Sequence, residues 1–318
     1  MKSKNIVCLG GGVGTVNLIK GLREYADDIT VIVSMADEGG SSGRIRRLFK
    51  MFPPGDLISC MAALYKGHNS SLSKLLTYRF PGDRYGKDND LSGHKLGNLI
   101  MVALKDITGS FDEAILAFQK IFDIKGKFLP ATIEEVNISA KTVEGKIIVG
   151  EEKIDLGRYT GKRVLEEVFL NPADAKAPQS VIDALKTADA IIAGPGDLYT
   201  TILPVLIIKN IKKILESVTC KKIFVVNVAN KPFETKGYDV LDFIHAIEKH
   251  IGSFPFGSVV VNNNYSTQIP KKLNYNYVKN GHKETVRHVA FLEADLLDED
   301  FPIYHSPQKL AKLLMDHI

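Results

Sequence analysis

Residues 5–44 read NIVCLGGGVGTVNLIKGLREYADDITVIVSMADEGGSSGR, and this stretch decides the fold. It opens with a short apolar run from Asn5 to Leu9, passes through glycines, and then repeats apolar residues at a helical period as far as Tyr25. A second, β-branched run follows from Ile29 to Met35. The pattern is typical of a βαβ unit, in which two polar loops lie at the ends of adjacent parallel strands.

The same alternation continues along the rest of the chain. Helical periods recur between residues 53 and 122, and strands and helices alternate again from Val181 to the carboxyl terminus, with one helix expected from about Ile202 to Glu216. Residues 130–170 instead alternate apolar and polar side chains around Glu144-Gly145, as a β-hairpin does. We therefore predict one α/β domain over residues 1–318 that carries a small β-rich insertion at 130–170.

Composition and charge exclude several classes of protein. The chain has 318 residues, 45% of them hydrophobic, which is ordinary for a globular protein. A net charge of +4 without a long basic run favours a small anionic ligand over a nucleic-acid polymer. Cys8, Cys60 and Cys220 show no CxxC spacing and are read as reduced thiols. No stretch reaches transmembrane length or forms a signal segment, so we expect a cytoplasmic protein.

The first glycine loop follows the first predicted strand and opens a helix: Gly10, Gly11, Gly12, Val13, Gly14 and Thr15. Exposed backbone N–H groups and the helix dipole can hold a phosphate at such a place. The loop is not a P-loop, and Thr15 stands where a dinucleotide fingerprint has its third glycine. Read alone, it is either a dinucleotide fingerprint or a tight βα turn.

A second polar loop follows the second strand, and it contains Asp37, Glu38, Gly39, Gly40, Ser41, Ser42 and Arg44. Two adjacent anion sites suit two phosphates, or a phosphate and a sugar. The alternative is a flexible glycine-serine turn. Asp37, Glu38 and Asp56 offer oxygen ligands that could hold Mg²⁺, although solvated acids or helix caps would show the same pattern.

Later strand ends should converge on the same edge of the sheet. We predict ligand contacts there from Gly194, Gly196, Asp197, Tyr199, Thr200, Asn227, Asn230 and Glu234. His94 and Asn98 can present an imidazole and an amide, and His94 is a catalytic candidate beside Asp37, Glu38 and Asp56. An ordinary buried histidine would have the same local sequence. The polar segment 81–94 reads as a mobile loop.

In order and spacing, these motifs make the chain resemble the YvcK/CofD family of gluconeogenesis factors and 2-phospho-L-lactate transferases. The matching runs are Gly10–Gly14, Ala36–Arg46, Pro53–Asp56, Tyr78–Phe80, Gly93–Asn98 and Gly194–Thr200. The YvcK branch is the closer one. Four departures stand out. Asp37-Glu38 replaces a pair of aspartates, and Val13 replaces a threonine within the glycine loop Gly10–Gly14. Val228-Ala229-Asn230 replaces a Met-Thr-Gln segment, and Tyr304-His305-Ser306 replaces Arg-His-Asp.

The resemblance implies a doubly wound, mostly parallel Rossmann-like sheet, a phosphate site on the first loop, and self-association as a homodimer. It also implies a regulator of carbon metabolism and of the cell envelope and cell shape that binds a UDP-sugar such as UDP-N-acetylglucosamine. The enzymatic alternative is a Mg²⁺-dependent transferase of the 2-phospho-L-lactate type with a nucleotide diphosphate donor. An NAD-dependent oxidoreductase is a third possibility, but no hydride-transfer site is evident in the sequence.

Overall fold

A computed structural model describes residues 4–65, 70–280, 286 and 288–318. The strands in this part of the chain are β1 (Ile6–Gly10), β2 (Ile29–Val33), β3 (Lys127–Pro130), β4 (Asn137–Thr142), β5 (Ile147–Val149), β6 (Leu165–Asn171), β7 (Ala190–Ala193), β8 (Lys221–Val225), β9 (Ala229–Asn230), β10 (Ser258–Asn262), β11 (Asn276–Tyr277) and β12 (Ala290–Ala294).

The α-helices are α1 (Gly12–Leu22), α2 (Gly40–Phe49), α3 (Gly55–Leu64), α4 (Ser70–Thr77), α5 (Leu96–Thr108), α6 (Phe111–Ile121), α7 (Glu151–Asp155), α8 (Gln179–Thr187), α9 (Leu203–Leu206), α10 (Lys209–Ser217), α11 (Val240–Ile251) and α12 (Pro307–His317). A π-helical turn at Leu198–Ile202 and a 3₁₀ turn at Lys271–Leu273 complete the set for the described residues.

Seven strands form one parallel central sheet in the order β12-β10-β8-β7-β1-β2-β3. Every neighbouring pair in it is parallel, and helices flank it. The strand order reverses between β1 and β7, and parallel α/β sheets bind ligands at such a reversal. The predicted Rossmann-like α/β fold is confirmed.

The centre of the sheet follows directly from the sequence. All five residues of β1 and all five of β2 are buried, as expected for strands covered on both faces. Burial raises the pKa of the Cys8 thiol to about 12, so the thiol stays protonated. Cys8, Cys60 and Cys220 are free cysteines, as predicted.

Residues 130–170 contain the predicted hairpin. Strands β4 and β5 pair antiparallel around the turn at Glu144-Gly145, and β6 pairs with the other edge of β4. Helix α7 continues the chain directly after β5, where the sequence showed only more alternation. This helix brings acidic side chains to the site described below.

Three local predictions were wrong. The glycine-serine run after Gly39 is the first turn of α2 and not a loop, since glycine and serine tolerate the start of a helix. Asp56 does not cap α3, because Pro54 is the N-cap residue and makes no side-chain cap bond. The expected helix 202–216 is broken into a π-helical turn, α9 and α10.

Within the described ranges, no helix is both long enough and apolar enough to cross a bilayer.

Candidate functional site

Two cavities of about 480 Å³ each meet at the carboxyl end of the central sheet. The glycine cleft is lined mainly by loop backbone and aromatic rings: Gly11, Gly12, Val13, Gly14, Tyr85, Pro195, Gly196, Asn227, Phe233, Tyr275, Tyr304 and His305. The carboxylate chamber is lined by charged and polar side chains: Asp37, Ser41, Ser42, Asp56, Arg79, Lys95, Asn98, Glu151 and Thr200. Both contain Gly12, Val13, Arg84, Asp155, Asp197, Thr201 and Lys231, so the two cavities adjoin one another along these residues.

The amino terminus of α1 forms the floor between them. Gly11 is the N-cap residue and has no side chain to bond the first turn; its own N–H donates to Thr15 Oγ1 at 2.9 Å. The Gly12 N–H donates to the Asp56 carboxylate. Gly12 has a φ of 65°, in the left-handed region that favours glycine. The positive end of the helix dipole therefore faces the joined cavity, where it favours an anion.

Asp37 and Asp56 form a half-buried acidic pair in the chamber. Asp37 accepts a hydrogen bond from the Gly39 N–H at 2.9 Å, and burial still raises its pKa. Burial, and then the charge of Asp37, raise the pKa of Asp56 to about 7. Lys95 lies beside them and donates to Ser59 Oγ at 2.6 Å; burial lowers its pKa although Asp56 opposes the shift. The two carboxylates therefore bind a proton readily when no metal cation is bound between them.

Glu151 is a third carboxylate of the chamber, and the sequence pattern did not point to it. One of its oxygens lies 2.9 Å from the position that a Gly39 Cβ would occupy, and an Asp37 oxygen lies 3.5 Å from the same point. Burial, together with the charge of Asp37, raises the pKa of Glu151 well above its usual range.

Glu38 points away from the chamber, so the predicted set of Asp37, Glu38 and Asp56 is not brought together. Its carboxylate accepts a hydrogen bond from the Glu151 N–H and lies 3.7 Å from Arg46. Successive residues of an extended segment point to opposite sides, and Asp37 takes the chamber side. Glu38 is thus removed from the candidate metal ligands.

Lys231 fills a second acidic cluster where the two cavities meet. Its ammonium contacts Asp155, lies 2.6 Å from Asp197 and lies 3.4 Å from Glu234. Burial alone would lower the pKa of Lys231, but the three carboxylates outweigh burial and raise it. Oxygens of these carboxylates lie within 4.8 Å of one another, close enough for a metal ion. The lysine takes the place that such an ion would occupy.

The chamber fits a divalent cation that is shared with a phosphate group. Mg²⁺ usually binds one or two carboxylates, keeps several waters and takes its other ligands from substrate phosphates. Asp37 and Asp56 supply two carboxylates next to the α1 amino terminus. Asn98 Oδ1 is buried without a hydrogen-bond partner among the described residues, so it offers a further oxygen to a ligand or its waters.

His94 supports Ser41 and does not line either cavity. It is 3% exposed, and its Nδ1 lies 2.9 Å from Ser41 Oγ, to which Asn98 Nδ2 also donates at 3.1 Å. Burial lowers the pKa of His94, so the ring is neutral near pH 7. The geometry makes His94 a positioning residue for Ser41 and Asn98, and not the predicted catalytic group.

Arg44 does not reach the joined cavity either. The side chain is buried beneath the loop 81–94, where it donates to the carbonyl oxygens of Ser92 at 2.6 Å, Asp83 at 3.5 Å and Asp90. The loop in turn places Arg84 and Tyr85 in the cavity. Arg44 therefore acts on the ligand site only through this loop.

We expect Arg44→Met to loosen the loop and to lower the free energy of unfolding by about 1–3 kcal/mol, because three loop carbonyls lose their charged donor. Hydrogen exchange of residues 81–94 should accelerate. Arg47→Met is the matched control, since Arg47 binds Asp88 of the same loop in an exposed pair and should change stability by less than about 1 kcal/mol. If hydrogen exchange of the loop is unchanged in Arg44→Met but ligand affinity is lost, Arg44 contacts the ligand directly.

Seven other predicted residues lie behind the cavity walls and not on them: Gly10, Thr15, Gly40, Gly194, Tyr199, Asn230 and Glu234. Several of them connect the loops. Glu234 accepts hydrogen bonds from the Tyr199 N–H at 2.9 Å and from Thr200 Oγ1 at 2.7 Å. Asn227, which does line the cleft, accepts from the Gly196 N–H at 3.0 Å. These bonds tie the loop after β7 to the loop after β8.

Aromatic rings form part of the wall of the glycine cleft. Phe233, Tyr275 and Tyr304 line it together with Tyr85 from the loop 81–94. Burial raises the pKa of Tyr275 to about 12, so its hydroxyl remains a hydrogen-bond donor. Tyr304 was identified only as a departure from the family pattern, and no spacing signal pointed to Phe233 or Tyr275.

Comparison with known proteins agrees with this architecture. The family model described as 2-phospho-L-lactate transferase CofD matches residues 6–297. The gluconeogenesis factor of Bacillus subtilis is 36% identical over 320 residues, covering 98% of this chain and 97% of that protein. The gluconeogenesis factor of Halalkalibacterium halodurans is 38% identical over 252 residues, covering 79% of this chain and 75% of that protein. A crystal structure of a UPF0052 family member from Bacillus halodurans superposes with a TM-score of 0.88 at 32% identity, covering 99% of both chains. The chain therefore belongs to the CofD family.

Proposed function

We propose that this protein binds a nucleotide diphosphate sugar, with UDP-N-acetylglucosamine as the first candidate, together with a divalent cation. The observation that carries the proposal is that the aromatic glycine cleft and the carboxylate chamber adjoin at the α1 amino terminus. A base can stack on the aromatic rings, a diphosphate can meet the helix dipole, and the chamber remains for the sugar and the cation.

The charges of the chamber favour a metal-bound ligand over a bare diphosphate. Five carboxylates line it: Asp37, Asp56, Glu151, Asp155 and Asp197. Four cations face them: Arg79, Arg84, Lys95 and Lys231. When all five carboxylates are ionised, a diphosphate without a metal would meet more negative than positive charge, and a divalent cation reverses this balance. We therefore expect the phosphates to enter with Mg²⁺ held by Asp37 and Asp56.

A thermal-shift titration tests the proposal. UDP-N-acetylglucosamine with Mg²⁺, at about a hundred times its Kd, should stabilise the protein by about 2.7 kcal/mol. For a chain of this size the expected rise in Tm is a few degrees. The shift should disappear with a chelator and should be absent for uridine, which lacks the diphosphate. Equal shifts with NAD and with the UDP-sugar, both independent of Mg²⁺, would contradict the proposal.

A transferase of the 2-phospho-L-lactate type is the second candidate, and it is favoured by the family match together with the raised pKa of Asp56. A carboxylate that titrates near pH 7 could take the proton of an acceptor alcohol while the oxygen attacks phosphorus and a nucleoside monophosphate leaves. Incubation with Mg²⁺ separates the two candidates. A binding protein returns the nucleotide sugar intact, whereas turnover releases UMP at a rate that falls in Asp37→Asn.

A further inference from the structure

A cavity larger than the glycine cleft and the carboxylate chamber lies outside the site described above. It has a volume of about 990 Å³ and is enclosed by α2, the β4–β5 hairpin and the start of α7. We call it the α2 cavity. It shares no lining residue with the glycine cleft or the carboxylate chamber. Its volume lies at the upper end of the range for small-molecule sites.

One part of the α2 cavity is apolar. Met35, Met51, Phe52 and Val136 line it together with Ile133 and Val149. Ile133 is 51% exposed and Val149 is 57% exposed, which is costly for side chains of this size if nothing covers them. A ring or short chain placed against them would remove this surface from water.

The other part is cationic, and not all of its cations are paired. Arg46, Arg47, Lys50 and Lys153 line it, and Arg47 is ion-paired with Asp88. Lys50 and Lys153 make no ion pair with any residue that the structure describes. The three carboxylates that line the cavity are already engaged, since Glu38 and Glu135 lie near Arg46 and Glu152 contacts Arg158. A positive surplus therefore faces the cavity.

Arg46 is the deepest of these cations, with a side chain that is 11% exposed. Its Nη2 donates to the Val136 carbonyl and to Asn137 Oδ1, both at 2.7 Å. Its Nη1 is buried and has no hydrogen-bond partner within the described residues, although Glu38 lies 3.7 Å away. Buried guanidinium nitrogens normally have partners, so this nitrogen has capacity left for a ligand oxygen.

We propose that the α2 cavity is a second small-molecule site, specific for an amphipathic organic anion. The apolar body of the ligand packs against Met51, Phe52 and Val149. Its carboxylate, phosphate or sulfonate group accepts hydrogen bonds from Arg46 Nη1 and is attracted by the unpaired lysines. The argument uses none of the residues of the glycine cleft, so this site stands or falls independently of nucleotide-sugar binding.

Two fluorescent probes with matched ring systems test the proposal on the full chain. Anilinonaphthalene sulfonate carries the anionic group, and phenylnaphthylamine has the same rings without it. We expect the sulfonate to bind with one-to-one stoichiometry and at least about ten times more tightly than the neutral probe, since a charge-assisted hydrogen bond contributes about 1.4 kcal/mol or more. Arg46→Met should remove this preference for the anion and leave binding of the neutral probe unchanged.

Val149→Glu places a carboxylate in the cavity and should weaken sulfonate binding about tenfold. Ile147→Glu is the matched control, because Ile147 lies on the same strand and is 51% exposed but does not line the cavity. Both variants change an exposed position, so both should fold, and their Tm values check this. Equal sulfonate affinity in native protein and Val149→Glu would overturn the site. Equal affinity of the native protein for the two probes would overturn its preference for an anion.

Discussion

Asp56→Asn is expected to abolish metal-dependent ligand binding and, at the same time, to stabilise the ligand-free protein at neutral and alkaline pH. Burial and the neighbouring Asp37 raise the pKa of Asp56 from 3.8 to about 7. The folded state therefore holds this proton more tightly than the unfolded state does, so native stability falls as the pH rises from about 4 to 7. Asparagine is neutral throughout and can still accept the Gly12 N–H bond. The gain above pH 7 should be on the order of a few kcal/mol.

Denaturant unfolding without metal at pH 5 and pH 8 measures how much more stable Asp56→Asn is than the native protein. The difference in free energy of unfolding should be larger at pH 8. Thermal shifts with Mg²⁺ and UDP-N-acetylglucosamine measure the loss of binding. Asp106→Asn is a suitable control, because that carboxylate is 60% exposed and forms its ion pair with the neighbouring Lys105. A variant that is less stable than the native protein at pH 8 would show that the ionised Asp56 carboxylate does not destabilise the folded state.

Gly14→Ala is expected to damage the fold as well as ligand binding. A Cβ on Gly14 would lie 2.3 Å from the Pro195 carbonyl oxygen, and both groups belong to backbone that cannot rotate away. The loops after β1 and β7 must then separate, at a cost of about 1–3 kcal/mol or more. Because the two loops also build the cleft, we expect both affinity and Tm to fall.

Gly12→Ala provides the comparison. At this position the nearest atom to an added Cβ is an Asp56 oxygen at 4.0 Å, so there is room for the methyl group. The left-handed backbone conformation is the remaining cost of the substitution, and it should lower the free energy of unfolding by roughly 1–2 kcal/mol. We expect Gly12→Ala to lose ligand affinity with a smaller fall in Tm than Gly14→Ala. A Gly14→Ala protein as stable as the native one would disprove the close contact with Pro195.

The fold could be predicted from local patterns, since β1, α1 and β2 are each marked by a continuous buried run or a helical period. The prediction failed where the residues of a segment are unusual for the secondary structure that the segment forms. Helix α2 begins with glycines and serines that normally indicate a loop, because its first turn packs against the preceding segment. Strand β12 was missed because it is an edge strand with no fully buried residue, so its sequence lacks the apolar run of a central strand.

The site was predictable only where it consists of strand ends. Asp37, Asp56, Asn98 and Asp197 were found because they follow strands or open helices at the expected edge. Glu151 and Lys231 were not found, since their position depends on how the small antiparallel sheet and the β8 loop fold over the cavity. Arg44 was misplaced for a related reason: a long side chain can turn away from the loop that carries it, and spacing does not record its direction.

Asp37 and Glu38 are neighbours in sequence, yet one faces the carboxylate chamber and the other the α2 cavity. This short segment therefore separates the two cavities. Which carboxylate faces which cavity depends on the alternating direction of successive side chains. Inserting or deleting one residue between β2 and α2 would exchange the sides and place the longer carboxylate in the chamber. The length of this connection should accordingly be under as strict a selection as its composition.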